Sequence, residues 1–103
     1  MTRFAVQITA GAESQARTIE AWWAANRPKS TGLFAREFAA AIEQLAIAPR
    51  ASSPYAVQRP LGTRRLLLRR SGYHVYYTID EPGSVVTIRA VWHAARGRSP
   101  RLQ

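Results

Sequence analysis

Apolar and polar residues alternate with a period of two from Arg64 to Arg96, across turn signals at Arg70-Ser71-Gly72 and Glu81-Pro82-Gly83-Ser84. The pattern predicts three antiparallel strands. Closing the second turn symmetrically puts apolar pairs on one face: Tyr73 with Trp92, Val75 with Ala90, Tyr77 with Ile88, and Ile79 with Val86, with Leu66 and Leu68 beside Tyr77 and Val75. Trp92 is therefore predicted to be a core residue. The opposite face receives Arg65, Leu67, Arg69, His74, Tyr76, Thr78, Arg89 and His93.

The turn at Pro82-Gly83 has the composition of a type II turn. Such a turn suits a two-residue hairpin poorly, so we expect a longer loop there. The start of the chain, Thr2–Thr9, also alternates with a period of two and predicts a short half-buried strand. From Ala10 to about Asn26 the apolar positions recur with helical spacing, and Thr9 is suited to cap this helix.

A second helix is predicted from a cap at Ser30 or Thr31 to about Ala48. Its apolar stripe consists of Phe34, Phe38, Ala41, Ile42 and Leu45. Two consecutive helices with a short connection form an antiparallel hairpin, which we expect to cover the apolar face of the sheet. The predicted class is α+β, with the order β-α-α-β-β-β and a mainly antiparallel sheet.

The stretch Pro49–Thr63 contains three prolines and one glycine and has no clear periodicity. Irregular segments of this length are often functional, but a surface crossover or a short edge strand explains the composition equally well. The chain has 103 residues and shows no repeat or linker. We therefore expect one domain covering residues 1–103.

The composition is strongly basic, with 15 Lys and Arg against 6 Asp and Glu and a net charge of +9. Nearly all the basic residues are arginines, whose planar donors suit phosphate and carboxylate groups. The expected partner is therefore anionic, either a nucleic acid or an acidic protein. A GC-rich genome, which favours arginine codons, is the alternative explanation.

The chain contains no cysteine, which fits a reducing compartment. No apolar run approaches the ~20 residues of a membrane span, so the expected location is cytoplasmic, without a membrane partner. Two histidines without cysteine do not complete a metal coordination shell. Neither a metal site nor a cofactor is predicted.

Several short motifs occur in a characteristic order: Thr9 to Glu13, Trp22-Trp23 with Asn26, Gly62 to Leu68, Tyr73 to Tyr77, and Ala90 to His93 followed by Arg96-Gly97. Together with the order of elements, they resemble the RelE/ParE family of toxins from bacterial type II toxin-antitoxin modules. The resemblance implies a growth-arresting toxin silenced by an antitoxin. RelE-like members cleave mRNA, usually at the ribosome, whereas ParE-like members act on DNA gyrase without hydrolysis. The run from Tyr73 to Gly97 is more similar to the ParE branch.

Cleavage of RNA needs an acid, a base and cations for the phosphate. The nuclease candidates here are His93, His74, Arg65 and Arg89, with Arg69 as a further cation and Tyr76 to stack a base. No tyrosine follows Tyr77, however, and the only carboxylate near that face is Asp80 at its edge. These absences favour the non-hydrolytic, gyrase-binding alternative. A plain nucleic-acid-binding domain is a third class, but no helix-turn-helix, zinc or RNP-like pattern supports it.

The predicted target-binding residues are Arg65, Arg69, Tyr76, Arg89, His93, Arg96 and Arg98. The arginine-rich tail from Arg96 to Arg101 either contacts the target or is a solvated chain end. The expected partner is a ParD-like antitoxin, which covers apolar surface at Trp22 and Phe34 and neutralises Arg65 and Arg69. The expected target is DNA gyrase; the alternative target is mRNA on the ribosome.

Overall fold

The computed structural model describes residues 3–54 and 62–96. The elements are β1 (Ala5–Ile8), α1 (Ala10–Asn26), α2 (Leu33–Ile47), β2 (Ser53–Pro54), β3 (Arg64–Leu68), β4 (Tyr73–Asp80) and β5 (Val85–His93), with 3₁₀ turns at Pro28–Ser30 and Pro49–Ala51. The sheet order is β1-β5-β4-β3-β2. β1 runs parallel to β5 and the other neighbours are antiparallel. The predicted α+β class and order of elements are confirmed. Residues 55–61 of the predicted 49–63 loop, and Arg98, lie outside the described residues.

α1 begins and ends as the sequence predicts, and Thr9 caps it by accepting a hydrogen bond from the Ala12 N–H at 3.1 Å. The predicted cap of α2 is wrong. Thr31 donates its hydroxyl to the Pro28 carbonyl instead, at 3.0 Å, and Gly32 precedes the helix without a side-chain cap. Pro28 starts a 3₁₀ turn here, because its fixed φ and missing N–H are tolerated in a first helical turn.

The two helices cover one face of the sheet, and the core lies between the helices and the sheet. Phe34 is fully buried there, stacked on Phe38 at 5.5 Å between ring centroids and edge-on to Tyr73 at 5.3 Å. The prediction that Phe34 belongs to the antitoxin-binding surface is therefore wrong for the folded chain. Its place on the helix stripe was correctly predicted, and that stripe faces the sheet.

A β-bulge changes the predicted register of β4 and β5. Tyr77 lies opposite Ile88 as predicted, but Tyr76 lies opposite Ala90, so Arg89 is an extra residue in β5. Beyond the bulge the partners are shifted by one: Val75 with Val91, His74 with Trp92, and Tyr73 with His93. A shift of one residue exchanges the two faces. Trp92 therefore leaves the core face and His93 joins it, contrary to the prediction.

The turn between β3 and β4 is fixed by a side chain from α2. The Glu37 carboxylate accepts the backbone N–H groups of Arg70 and Ser71, both at 2.8 Å. Burial raises the pKa of Glu37, but the hydrogen bonds from the Arg70 and Ser71 N–H groups and the charge of Arg70 outweigh this effect, so the pKa is lowered. Gly72 follows with φ +87°, a conformation that favours glycine. In β3, Leu66 and Leu68 keep the predicted face but lie opposite Val75 and Tyr73.

The loop between β4 and β5 has four residues, as the prediction of a longer loop requires. The type II turn is not formed, because the residue with a positive φ is Ser84, at 53°, and not Gly83. The Ser84 N–H donates to the Glu81 carbonyl at 3.1 Å, and the Ser84 carbonyl accepts the Ala5 N–H at 2.9 Å. This turn therefore also fixes the start of β1.

Candidate interaction surfaces

The sheet face opposite the helices carries four of the predicted functional residues: Arg65, His74, Tyr76 and Arg89. Arg65 lies opposite Tyr76 in the β3–β4 pair, and directly opposed residues share a face. His74 and Thr78 each lie two residues from Tyr76 in β4 and therefore share its face. Arg89 is held on that face as well, because its Nε donates to the Thr78 hydroxyl at 2.9 Å. The structure therefore brings Arg65, His74 and Arg89 to one face, which we call the basic face.

Tyr76 belongs to the basic face but is only 3% exposed. Its ring is edge-on to His74, with 6.0 Å between centroids. Stacking on a nucleic-acid base requires an accessible ring face, so the predicted role of Tyr76 in base stacking or target binding is not available in this conformation. The pKa of His74 is lowered, first by burial and then by the positive charge of Arg65. His74 is accordingly neutral at pH 7.

His93 lies on the other side of the sheet. Its ring is edge-on to Tyr73, with 4.9 Å between centroids, and its Nδ1 accepts the Ala95 N–H at 3.1 Å. An imidazole that accepts at Nδ1 carries its proton on Nε2. A Cβ added to Gly72 would lie 3.1 Å from that Nε2, which shows how closely the ring packs on the turn. The structure thus separates His93 from His74, Arg65 and Arg89.

The remaining predicted arginines lie near the ends of the strands. Arg69 is exposed in the turn after β3. The Arg96 guanidinium lies over the Trp92 ring, 4.2 Å from its centroid, in a cation–π contact. Because the bulge moved Trp92 out of the core, this contact was not predicted from the sequence.

A groove of about 670 Å³ opens between α1 and the outer half of β5. Its lining residues come from α1, from the β3–β4 turn and from the end of β5: Ser14, Gln15, Thr18, Ile19, Trp22, Trp23, Arg27, Ser71, Tyr73, Val91, Trp92, His93, Ala95 and Arg96. We call this the α1–β5 groove. None of these residues is acidic. Sequence reasoning pointed to Trp22 but missed the groove, because His93 and Val91 face it only as a result of the bulge.

The two tryptophans of α1 have different roles in this groove. Trp22 is 46% exposed, as predicted for a residue off the main helix stripe, and lies edge-on to Trp23 at 5.7 Å. Trp23 is 9% exposed and belongs to the core. Its indole Nε1 is buried without a hydrogen-bond partner in the part of the chain that the structure describes. The groove therefore combines an exposed aromatic surface with an unsatisfied donor.

Within residues 3–54 and 62–96, no group of three or more His, Cys, Asp or Glu side chains is arranged to hold a metal ion. None of the described helices has the length and apolar character needed to span a membrane.

This fold is that of type II toxin-antitoxin toxins of the ParE/RelE superfamily. The family model for the ParE toxin of the type II toxin-antitoxin system parDE matches residues 6–97. The chain therefore belongs to the ParE toxin family, and the resemblance seen in the sequence is confirmed. No curated protein matches the sequence significantly.

Solved structures of both branches are similar to this chain. A chain of the chromosomal ParDE toxin-antitoxin system from P. aeruginosa has a TM-score of 0.71 and 14% identity, over 88% of this chain and 96% of that one. A chain of the RelBE2 toxin-antitoxin complex from Mycobacterium tuberculosis has a TM-score of 0.63 and 26% identity, over 93% of this chain and 97% of that one. A mutant of E. coli RelE in the free state has a TM-score of 0.61 and 16% identity, over 92% of this chain and 86% of that one. The fold is thus common to both branches and does not distinguish them.

Proposed function

We propose that this protein is a growth-arresting toxin that inhibits DNA gyrase by binding it, and that a ParD-like antitoxin neutralises it. The observation that carries the non-hydrolytic mechanism is the separation of the two histidines. His93 lies on the helix side of the sheet with Tyr73, whereas His74 lies on the basic face with Arg65. An acid and a base acting on one phosphate must both reach it within hydrogen-bond distance, so this pair does not form one nuclease centre.

The antitoxin follows from family membership and from the charge of this chain. The net charge of +9 favours rapid association with an acidic partner. Arg65, Arg69 and Trp22 remain the proposed antitoxin contacts, since Phe34 is buried. For the target, the proposed contacts are Arg65, Arg69, Arg89 and Arg96, with His93 and Arg98 as further candidates.

The test is plasmid supercoiling by purified gyrase with this protein added, run with and without a denaturing step that reveals cleaved DNA. We expect loss of supercoiling and accumulation of linear DNA. Arg69→Ala should weaken inhibition, because Arg69 is exposed at the basic end of the sheet. Arg17→Ala is the matched control, since Arg17 is exposed on α1 and pairs with Glu13 at 2.6 Å. No inhibition by a large excess of folded protein would refute the gyrase mechanism.

A RelE-like, ribosome-dependent mRNA endoribonuclease is the second candidate. Two observations favour it: the 26% identity to the RelBE2 chain, and the presence of Arg65, Arg89 and a neutral His74 on one face. In that mechanism His74 accepts the proton of the 2′-hydroxyl as its oxygen bonds to phosphorus, the arginines bind the phosphate, and the leaving 5′-oxygen takes a proton from solvent water. Primer extension on mRNA from a translation extract tests it: cleavage that is lost in His74→Ala and kept in His93→Ala would support this alternative.

A further inference from the structure

The acidic residues of this chain lie away from the centre of the basic face. Four of the six are on the helices: Glu13 and Glu20 on α1, Glu37 and Glu43 on α2. The other two, Asp80 and Glu81, lie at the β4–β5 turn, where the Asp80 carboxylate accepts the Gly83 N–H at 3.3 Å. Since all six are within the described ranges, Asp80 at the far edge is the only carboxylate on the basic face.

The arginines of the basic face continue over the edge of the sheet. Arg65 also lines a groove of about 600 Å³ between α2 and β3, together with the exposed Arg69 and Arg70. Glu37 is in the same lining, but its carboxylate already accepts two backbone N–H groups. On the other side, Arg65 is two strand spacings from the bulge in β5, roughly 10 Å across the sheet. One positive surface, which we call the arginine surface, therefore comprises Arg65, Arg69, Arg70 and Arg89.

The groups around these arginines distinguish between the two kinds of anionic partner. A protein interface needs apolar or aromatic anchors at its centre. The exposed large apolar residues of the described chain are Trp22, Ile47 and Leu67, and only Leu67 lies on this side of the sheet. A row of small polar residues crosses it instead, consisting of Thr78, Thr87 and Gln7. Interfaces with nucleic acid are polar and positively charged in this way, and hydroxyl and amide groups contact phosphate there.

The two large aromatic rings of this face are not placed for stacking on bases. Tyr76 is 3% exposed, and the Trp92 ring already holds the Arg96 guanidinium. Single-stranded nucleic acids are bound largely by stacking of their bases on aromatic rings. Duplex DNA is bound through its phosphates, which supply one negative charge per about 1.7 Å of helix axis. The arginine surface therefore fits a duplex better than a single strand.

We propose that the arginine surface binds the phosphate backbone of duplex DNA, and that the toxin thereby recognises gyrase together with the DNA that gyrase holds. The four arginines contact phosphates, and the row of Thr78, Thr87 and Gln7 adds hydrogen bonds to the backbone. Contacts to phosphate carry no sequence information, so the binding is independent of DNA sequence. The link to gyrase rests on the proposed function, whereas the DNA contact does not.

The test measures the affinity of the full-length toxin, without gyrase or antitoxin, for a labelled duplex of about 20 base pairs by fluorescence anisotropy. Four phosphate contacts predict that log K falls with log salt with a slope of about −3.6, a loss of roughly 150-fold between 50 and 200 mM salt. A second duplex of unrelated sequence should bind equally well. A single strand of the same length, as DNA or as RNA, should bind more weakly at each salt concentration.

Single substitutions locate the contact on the molecule. Arg65→Ala, Arg69→Ala and Arg70→Ala should each weaken duplex binding and reduce the steepness of the salt slope by about 0.9. Arg69 and Arg70 are exposed, so their variants keep the fold, which circular dichroism checks. Arg17→Ala is the matched control, because it removes the same charge from α1, where Arg17 pairs with Glu13. Its slope should equal that of the wild type.

Two results of the binding assay would overturn the proposal. Equal slopes for the Arg65→Ala and Arg17→Ala variants would show that the charge of the whole chain attracts DNA, without a defined surface. Tighter binding to single-stranded RNA than to the duplex would assign the arginine surface to RNA and support the second candidate function.

Comparison with the supercoiling assay separates this proposal from the proposed function. If the toxin inhibits gyrase but does not bind duplex DNA, the DNA contact fails and the proposed function stands. If it binds the duplex with the expected slope but does not inhibit gyrase, the gyrase assignment fails and the DNA contact stands. If Arg65→Ala loses inhibition while binding the duplex normally, the surface contacts gyrase protein, and the DNA proposal is overturned.

Discussion

The hydroxyl of Tyr77 ties the sheet to the segment that follows α2, and its removal has a calculable cost. Tyr77 is fully buried, donates to the Pro49 carbonyl at 2.6 Å and also hydrogen-bonds the Ser52 hydroxyl. Tyr77→Phe keeps the ring and removes both contacts. The lost hydrogen bond is worth about 1 kcal/mol, and the stranded buried Pro49 carbonyl adds about 1–2 kcal/mol. We expect the free energy of unfolding to fall by about 2–3 kcal/mol, which lowers Tm by about 10 °C or more for a chain of this size.

Urea unfolding followed by circular dichroism measures this change, with Tyr73→Phe as the matched control. Tyr73 is on the same strand and face and is 9% exposed, and its hydroxyl makes no hydrogen bond to any described residue. The control should change the unfolding free energy by less than about 0.5 kcal/mol. Equal losses in the two variants would refute the reasoning, because they would show that the hydroxyl contacts of Tyr77 contribute no more than a general loss of polar surface.

Three further predictions concern the turn and the basic face. The lowered pKa of Glu37 means that its contribution to stability is present above its ordinary value of 4.5 and is lost as the pH falls through the folded-state pKa; Glu37→Gln should flatten the acid limb of a stability–pH curve. Gly72→Ala should lower the free energy of unfolding by about 1–2 kcal/mol, because φ is +87° and the added Cβ meets the His93 ring. The NMR resonances of His93 should shift in the same variant. The lowered pKa of His74 predicts that the midpoint of its NMR titration lies below 6.5 and rises in Arg65→Ala. It also predicts that the free energy of unfolding decreases as the pH falls below about 6.5.

The elements of this fold are largely predictable because their signals are local. Helical spacing and a capping threonine define α1 within the chain itself. Alternation with a period of two defines β4 and the first half of β5, and the symmetric turn at Glu81 to Ser84 fixes the pairing of Tyr77 with Ile88. The start of α2 was missed because the Thr31 hydroxyl bonds back to Pro28 instead of capping forward.

The candidate site is less predictable, because one bulge decides which residues share a face. Arg65 and His74 lie where alternation alone places them. His93 and Trp92 exchange faces because Arg89 is an extra residue in β5, and nothing in the local sequence distinguishes it from a regular strand position. The consequences are the separation of the two histidines, the Arg96–Trp92 contact and the α1–β5 groove.

By itself, the sequence determined the α+β class, the helix hairpin, the family and the basic character of the chain, since periodicity, turn residues and charge act over a few residues. Only the tertiary structure decided the parallel pairing of β1 with β5, the burial of Phe34 and Tyr76, and the unsatisfied donor of Trp23. These features depend on contacts between segments that are distant along the chain. A register shift of one residue moves every later side chain to the opposite face, and its energy is set by packing across the whole sheet.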